Sequence, residues 1–495
     1  MSTPHHEVAV IGAGFAGIAL GVGFLEAGID DVVILERADE VGGVWRDNTY
    51  PGCACDVPSA LYSLSFAPNP GWSRTYATQP EILDYARRVA REHGVERLIR
   101  FQTEVTDARW EDDAQHWRIT TTRGELTARV LITALGPFGD PKLPDIPGRD
   151  TFAGTTFHSA RWNHDHDLRG ERVAVIGTGA SAVQFVPEIQ PLTEHLTVFQ
   201  RTPTWVLPRM DLRAPALQRA LFRRVPAAQR ALRGLIYATI EGLGLVGFVD
   251  VRFRAPYEAA GRFQLRRQVA DPELRRKLTP QYMLGCARAV LADRYYPALG
   301  QPNVAVVTEP IEEITPRGVR TADGVEHEVD TIIWGTGFDV PPKRHRVVVG
   351  RTGETLADTV VTDVRSYLGT TLRDFPNLFT ILGAFSAGGN QSALFMIENQ
   401  VRYVVDAVRT MRSQGIGVVE VRPEVEAAFV AEMRERSEGS VWETGGCNSY
   451  YTDANGRNQG LWPNWSWEYR RRTRTFDVES YETTPVREPA HAALA

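Results

Sequence analysis

The chain is predicted to be an α/β protein with two Rossmann-like dinucleotide-binding domains, the first discontinuous, the second inserted into it, together with a helical insertion. Three observations predict this. Glycine-rich turns join an apolar strand to a helical pattern twice, within residues 7–36 and 171–202. Two more apolar strands end in glycine turns, one between these motifs, within 130–148, and one further on, within 329–339. The strand–helix rhythm then breaks over residues 206–279, which read as Arg- and Leu-rich helices.

The 495 residues are too many for one ordinary core, so two or three domains are expected. With 43% hydrophobic and 23% charged residues, the composition is that of a globular protein. A net charge of -6 gives no general pull toward nucleic acid or an anionic membrane. The four cysteines, Cys53, Cys55, Cys286 and Cys447, form no paired framework in the sequence and suit a reducing cytoplasm. No metal-ligand spacing is read, and the opening residues carry no secretory pattern. The longest apolar run, residues 235–249, is interrupted by Glu241 and is shorter than the roughly 20 residues of a membrane span. It is expected to be a buried helix. Membrane association is not expected, although arginines such as Arg219, Arg223, Arg224 and Arg252 flank the run.

In the first nucleotide motif, strand Val8–Ile11 runs into Gly12-x-Gly14-x-x-Gly17, then a helix, then a strand ending at Glu36. The glycines permit the tight turn, the approach of a pyrophosphate and close helix packing. The helix N-terminus offers free N–H groups to phosphate. Glu36 is placed to accept ribose hydroxyls, which favours an unphosphorylated ribose, as in FAD or NAD.

The second motif repeats the plan with strand Val173–Ile176, the turn Gly177-x-Gly179, and Ser181 and Ala182 opening the helix. Its second strand ends in Arg201-Thr202 instead of an acid, and Gly177 to Arg201 spans the same 24 residues as Gly12 to Glu36. A cation there suits a ribose 2′-phosphate, hence NADPH. The bland alternative is a solvated strand-end charge. The expected division is an FAD domain over 1–160 and 336–495, an NADP domain over 161–205 and 280–335, and the insertion at 206–279.

The connecting stretch "FAGTTFHSARWN", residues 152–163, sets Phe152, Gly154, His158 and Trp162 at fixed offsets. Taken alone it reads as a packed linker. With the rest of the chain it resembles the fingerprint of the type I Baeyer–Villiger monooxygenases, class B flavin-dependent monooxygenases. Asn163 stands where that family has Pro or Asp. A second family motif is matched by Gly43, Trp45, Tyr50, Pro51, Gly52 and Asp56. The resemblance runs from residue 7 to about 475.

The resemblance implies an NADPH- and O2-dependent enzyme that inserts one oxygen atom beside a ketone carbonyl, giving an ester or lactone through a C4a-peroxyflavin. Such chemistry needs a permanent cation near the reacting oxygen. The family places an arginine before a Tyr-Tyr pair, and "LGCARAVLADRYY" offers Arg288 and Arg294 ahead of Tyr295 and Tyr296. Arg288 is preferred, with Asp56 as its carboxylate partner. The resemblance also assigns Trp45, Tyr62 and Val105 to FAD. It assigns Thr178, Gly179, Ser181, Gln184, Arg201 and Thr202 to NADP, and a mobile loop at about 440–465 in which Tyr450 replaces the family's usual Trp. His158 and Trp162 are implied in relaying domain movement. The apolar content of the insertion suggests a hydrophobic ketone. The alternatives are a flavin-containing monooxygenase that oxidises sulfides or amines, a disulfide reductase, and a non-catalytic redox sensor. Cys53-Ala54-Cys55 is one residue short of a C-x-x-C pair, so these cysteines are expected to be structural.

Overall fold

Two mainly parallel sheets organise the chain in a computed structural model, which describes residues 3–248, 254–340, 342–361, 364–389 and 391–487. At the heart of the first sheet, His5–Ile11 lies between Val32–Leu35 and Gly124–Thr133, parallel to both. All four residues of Val32–Leu35 are buried, as befits a strand covered on both faces. An antiparallel meander, Val105–Glu111, His116–Thr121 and Gly124–Thr133, extends the sheet on one side. The late strands Val348–Val349 and Leu378–Thr380 pair with Val105–Glu111 and Gly124–Thr133, so the chain returns to this sheet after residue 340.

The second sheet has five parallel strands in the order Val304–Val307, His195–Phe199, Arg172–Ile176, Thr331–Trp334 and Thr155–His158. The fingerprint residue His158 therefore ends an edge strand of this second sheet, in register with Trp334. Helix Phe15–Glu26 is buried along nearly its whole length, packed against Ala393–Gln414. That long helix starts at Ser392, whose hydroxyl accepts from the Leu394 N–H, and ends at Gly415 in the left-handed region.

The insertion is helical as expected: Ala216–Arg224, Pro226–Phe248, Ala255–Gln268 and Pro272–Lys277. Two expectations are corrected. The apolar run at 235–249 is not simply buried: Leu235 is 65% exposed, whereas the charged Glu241 is buried, held by hydrogen bonds from Gln391 and Ser466. Val249 and Arg252 lie outside the described residues. Among the described residues no helix is long and apolar enough to cross a membrane. The second correction concerns the cysteines. Cys286 and Cys447 form a disulfide across 161 residues. No spacing rule reveals a pair so distant, since only the fold brings the two segments together. Cys53 and Cys55 are free and buried, and burial pushes the Cys53 thiol up to about 12.

Candidate active site

Helix 226–248 also fastens the segment that carries Asp56 and Tyr62. Arg233 donates to the carbonyls of Ala60, Leu61 and Ser63, at 3.2, 3.2 and 2.6 Å. The buried Glu241 accepts from Gln391 at 2.7 Å and from the Ser466 hydroxyl at 2.9 Å. Each of these bonds ties an inserted helix to distant parts of the chain.

Arg288 meets Asp56 at the centre of the site. Its Nε donates to Oδ2 at 2.9 Å and its Nη2 to Oδ1 at 2.6 Å, a two-pronged ion pair between half-buried partners. The Asp56 carboxylate, against the opposing effect of burial, holds the Arg288 guanidinium protonated well above its ordinary range. Arg294 is 68% exposed and pairs with Glu188, away from Asp56. Trp45 Nε1 donates to the Tyr62 hydroxyl at 2.8 Å, with the rings edge to face at 5.6 Å. Burial raises the Tyr62 phenol above its usual range, so it is neutral.

The two glycine turns sit where the sequence predicts. Gly14 and Gly179 precede helices Phe15–Glu26 and Ala180–Ile189, and neither helix has a side-chain cap. A Cβ on Gly179 would meet nothing within 4 Å, so the backbone is open to a ligand there. Uncapped N–H groups beneath an open glycine turn fit the pyrophosphate of a dinucleotide. Glu36 is buried, and its carboxylate accepts from Ala13 N at 2.8 Å, Ala38 N at 3.0 Å and Arg46 Nη1 at 3.1 Å. With roughly four lone-pair sites on a carboxylate, capacity remains for a hydroxyl. At the matching place in the second unit, Arg201 and Thr202 are exposed, and the Thr178 hydroxyl donates to the Thr202 carbonyl at 2.9 Å. These groups suit a phosphorylated nucleotide.

Other expected contacts have partners inside the protein. The Gln184 amide donates to Ala54 O at 3.0 Å and accepts from the Tyr50 hydroxyl at 3.0 Å, joining the second unit to the Asp56 motif. Ser181 lies partly buried on the same helix. Val105 is buried and packs into the core behind the first sheet, apart from Arg288.

The fingerprint residues lie along the second sheet's edge. A Cβ on Gly154 would come within 2.3 Å of Asp330 O, so the close strand approach requires glycine. Phe152 packs on the core that includes Ile314 and Val329. Trp162 leans on Phe185 and Phe157, each with ring centroids at 5.2 Å. The Asn163 side chain accepts from Asp165 N at 3.2 Å and shapes a local turn. His158 Nδ1 accepts from Ala160 N at 3.0 Å. Burial lowers its pKa to about 4, against a smaller opposing effect from the Gly337 backbone.

Sequence reasoning missed an aromatic path from His158 to the late loop. His158 stacks edge to face on Phe338 at 6.0 Å, Phe338 meets Phe138 at 5.6 Å, and Phe138 meets Tyr450 at 5.5 Å. The signal was present: Phe138 and Phe338 each close the glycine turn after a strand that returns to a sheet, in "LGPFGD" and "GTGFD".

Comparison with known proteins gives a consistent answer. The family described as pyridine nucleotide-disulphide oxidoreductase matches residues 9–219. A Baeyer–Villiger monooxygenase of Streptomyces coelicolor is 46% identical over 99% of this chain and 96% of its own. Another from Pseudomonas aeruginosa is 41% identical over 97% and 92%. The crystal structure of OTEMO in complex with FAD and NADP superposes with a TM-score of 0.88 at 28% identity, covering 98% of this chain and all of the other. With whole-length relatives at this identity and both nucleotide turns in place, the chain belongs to the Baeyer–Villiger monooxygenase family.

Proposed function

We propose that Arg288 is the catalytic cation of this enzyme and Asp56 its positioning partner. The enzyme is an FAD-containing oxidoreductase that uses NADPH and O2 for Baeyer–Villiger oxygen insertion. FAD, reduced by NADPH, supplies the activation of O2. The chain supplies a fixed positive charge where negative charge develops on the ketone oxygen under attack. A guanidinium suits this because it stays protonated and its planar fork is held in place. The observation that carries the reading is the two-pronged Arg288–Asp56 contact beside the Trp45–Tyr62 pair.

The other assignments rest on the same frame. Gly12, Gly14, Gly17 and Glu36 hold the FAD pyrophosphate and ribose, Trp45 and Tyr62 bound the flavin side near Arg288, and Val105 contacts FAD away from Arg288. Thr178, Gly179, Ser181, Arg201 and Thr202 face NADP, Gln184 holds the NADP unit to the flavin segment, and Tyr450 closes from the loop at 440–465. Phe152, Gly154, His158 and Trp162 couple the two units. The FAD unit comprises 1–160 and 336–495, the NADP unit 161–205 and 280–335, and the insertion lies between them. The substrate is a hydrophobic ketone, a class supported by the apolar content of residues 206–279. Dependence on NADPH favours the cytoplasm, where the Cys286–Cys447 bond would have to form against a reducing poise.

Sulfide or amine oxygenation is the rival reaction. It uses a neutral oxidant and needs no fixed cation, which the Arg288–Asp56 pair supplies. An aerobic assay with NADPH and a panel of ketones, sulfides and amines decides between them. Ester or lactone products, identified by mass, are expected; sulfoxides or N-oxides alone would overturn the reading.

A further inference from the structure

The segment that carries Arg288 is bolted to the loop that carries Tyr450. Cys286, two residues before Arg288, is disulfide-bonded to Cys447, three residues before Tyr450. The Cys447 N–H points at Cys286 Sγ, 3.1 Å away, and the Met283 N–H donates to Gly445 O at 2.8 Å. Cys286, Val441, Trp442, Tyr451 and Leu461 form one buried apolar cluster, against which Tyr282 and Met283 pack. Packing is tight enough that a Cβ on Gly445 would come within 2.5 Å of Cys286 Cβ. Further along, backbone bonds also hold the loop: Phe385 N donates to Gln459 O at 3.0 Å, and Trp462 N to Ala387 O at 2.9 Å, beside Leu461 of the same cluster. The stretch containing Tyr450 is slung between the disulfide and these bonds. Its ring meets Tyr451 at 4.6 Å and Phe138 at 5.5 Å, and 41% of the residue is exposed.

We propose that the Cys286–Cys447 bond is a clasp that positions the 440–465 loop over the Arg288 turn, so that both cysteines are positioning residues for NADP retention. The proposal rests on the reading that this loop closes on NADP. Joining the two segments covalently makes docking of the loop an intramolecular event, with the high local concentration that a short link confers. Without the bond, the Cys447 end of the loop keeps the apolar cluster and the Met283–Gly445 hydrogen bond, each of modest net worth. Opening the clasp consumes two electrons and two protons. A dithiol supplies both: the S–S bond breaks, two cysteine thiols form, and the dithiol leaves as a cyclic disulfide.

The test uses the full-length holoenzyme. Thiol titration of the denatured protein without reductant should find Cys53 and Cys55 alone, and all four cysteines after reduction. Four free thiols in the enzyme purified under air would overturn the proposal. Dithiothreitol treatment of the wild type, and separately Cys447→Ser, should weaken NADP+ binding about fivefold or more. The share of NADPH electrons released as hydrogen peroxide should rise. FAD content and the rate of flavin reduction at saturating NADPH should hold, and reoxidation of the wild type should restore binding. Lower thermal stability with unchanged NADP+ affinity would mean a merely structural bond and would overturn the clasp. Tyr450→Ala separates the two layers. If it leaves NADP+ affinity unchanged, the reading of the loop fails. If it weakens binding while reduction of the disulfide does not, the clasp alone fails.

Discussion

Arg288 grips Asp56 with two hydrogen bonds, 2.9 and 2.6 Å long, across 232 residues of chain. The carboxylate fixes the plane of the guanidinium and keeps it charged. Replacing Arg288 by alanine should abolish ester or lactone formation while NADPH is still oxidised and hydrogen peroxide accumulates. Loss of one preorganised donor to an oxyanion costs about 2.7–4 kcal/mol, a hundred- to a thousandfold in rate. Lysine should restore a fraction, because it keeps charge without the fork. Near-normal ketone conversion by Arg288→Ala would remove this residue from the mechanism.

Asp56→Ala should give a defect of similar size, since the guanidinium loses its orientation. If the two residues act as a unit, the double variant will be little worse than either single. The measurement is a double-mutant cycle on kcat/KM for ketone. Fully additive losses would mean that the residues act independently.

Arg201 is exposed at the end of strand His195–Phe199, with Thr202 beside it. Arg201→Ala should raise KM for NADPH about ten- to a hundredfold, equivalent to roughly 1.5–3 kcal/mol, and leave NADH use almost unchanged. Equal use of both nucleotides by the unmodified enzyme would contradict the assignment.

His158 is held neutral, with its pKa lowered from 6.5 to about 4 by burial. His345 is lowered to about 4 for the same reason. A depressed folded-state pKa contributes stability that is complete above pH 6.5 and is lost as pH falls through 4. For one histidine this amounts to about 3 kcal/mol at most. Denaturant unfolding from pH 7.5 down to 4.5 should lose stability progressively, and less steeply in His158→Asn. Parallel pH dependence in the two proteins would exclude His158 as a source of the slope.

Gly154 leaves no room for a side chain against Asp330 O. Gly154→Ala should destabilise the fold by about 1–3 kcal/mol through overpacking at the strand edge. Thermal unfolding would register this, and an unchanged melting temperature would show that the edge strand shifts freely.

The sequence by itself determined the two nucleotide turns, the strands around them and the ranking of Glu36 and Arg201 as opposite ribose signals. Those features are local: a glycine turn, a helix start and a strand end lie within a few tens of residues, and their chemistry is set by neighbours along the chain. It also placed Arg288 and Asp56 in recognisable motifs, and resemblance, not spacing, linked the two. Only the tertiary structure decided that Arg288 and not Arg294 meets Asp56, that the Gln184 amide is committed to Ala54 and Tyr50, and that Glu36 accepts from Arg46. It alone paired Cys286 with Cys447, left Leu235 of helix 226–248 to solvent and aligned Phe338 and Phe138 between His158 and Tyr450. The reason is physical. A long-range contact depends on how several packed segments meet, and the hydrogen bond that a side chain makes is chosen by whichever partner the packing brings within about 3 Å.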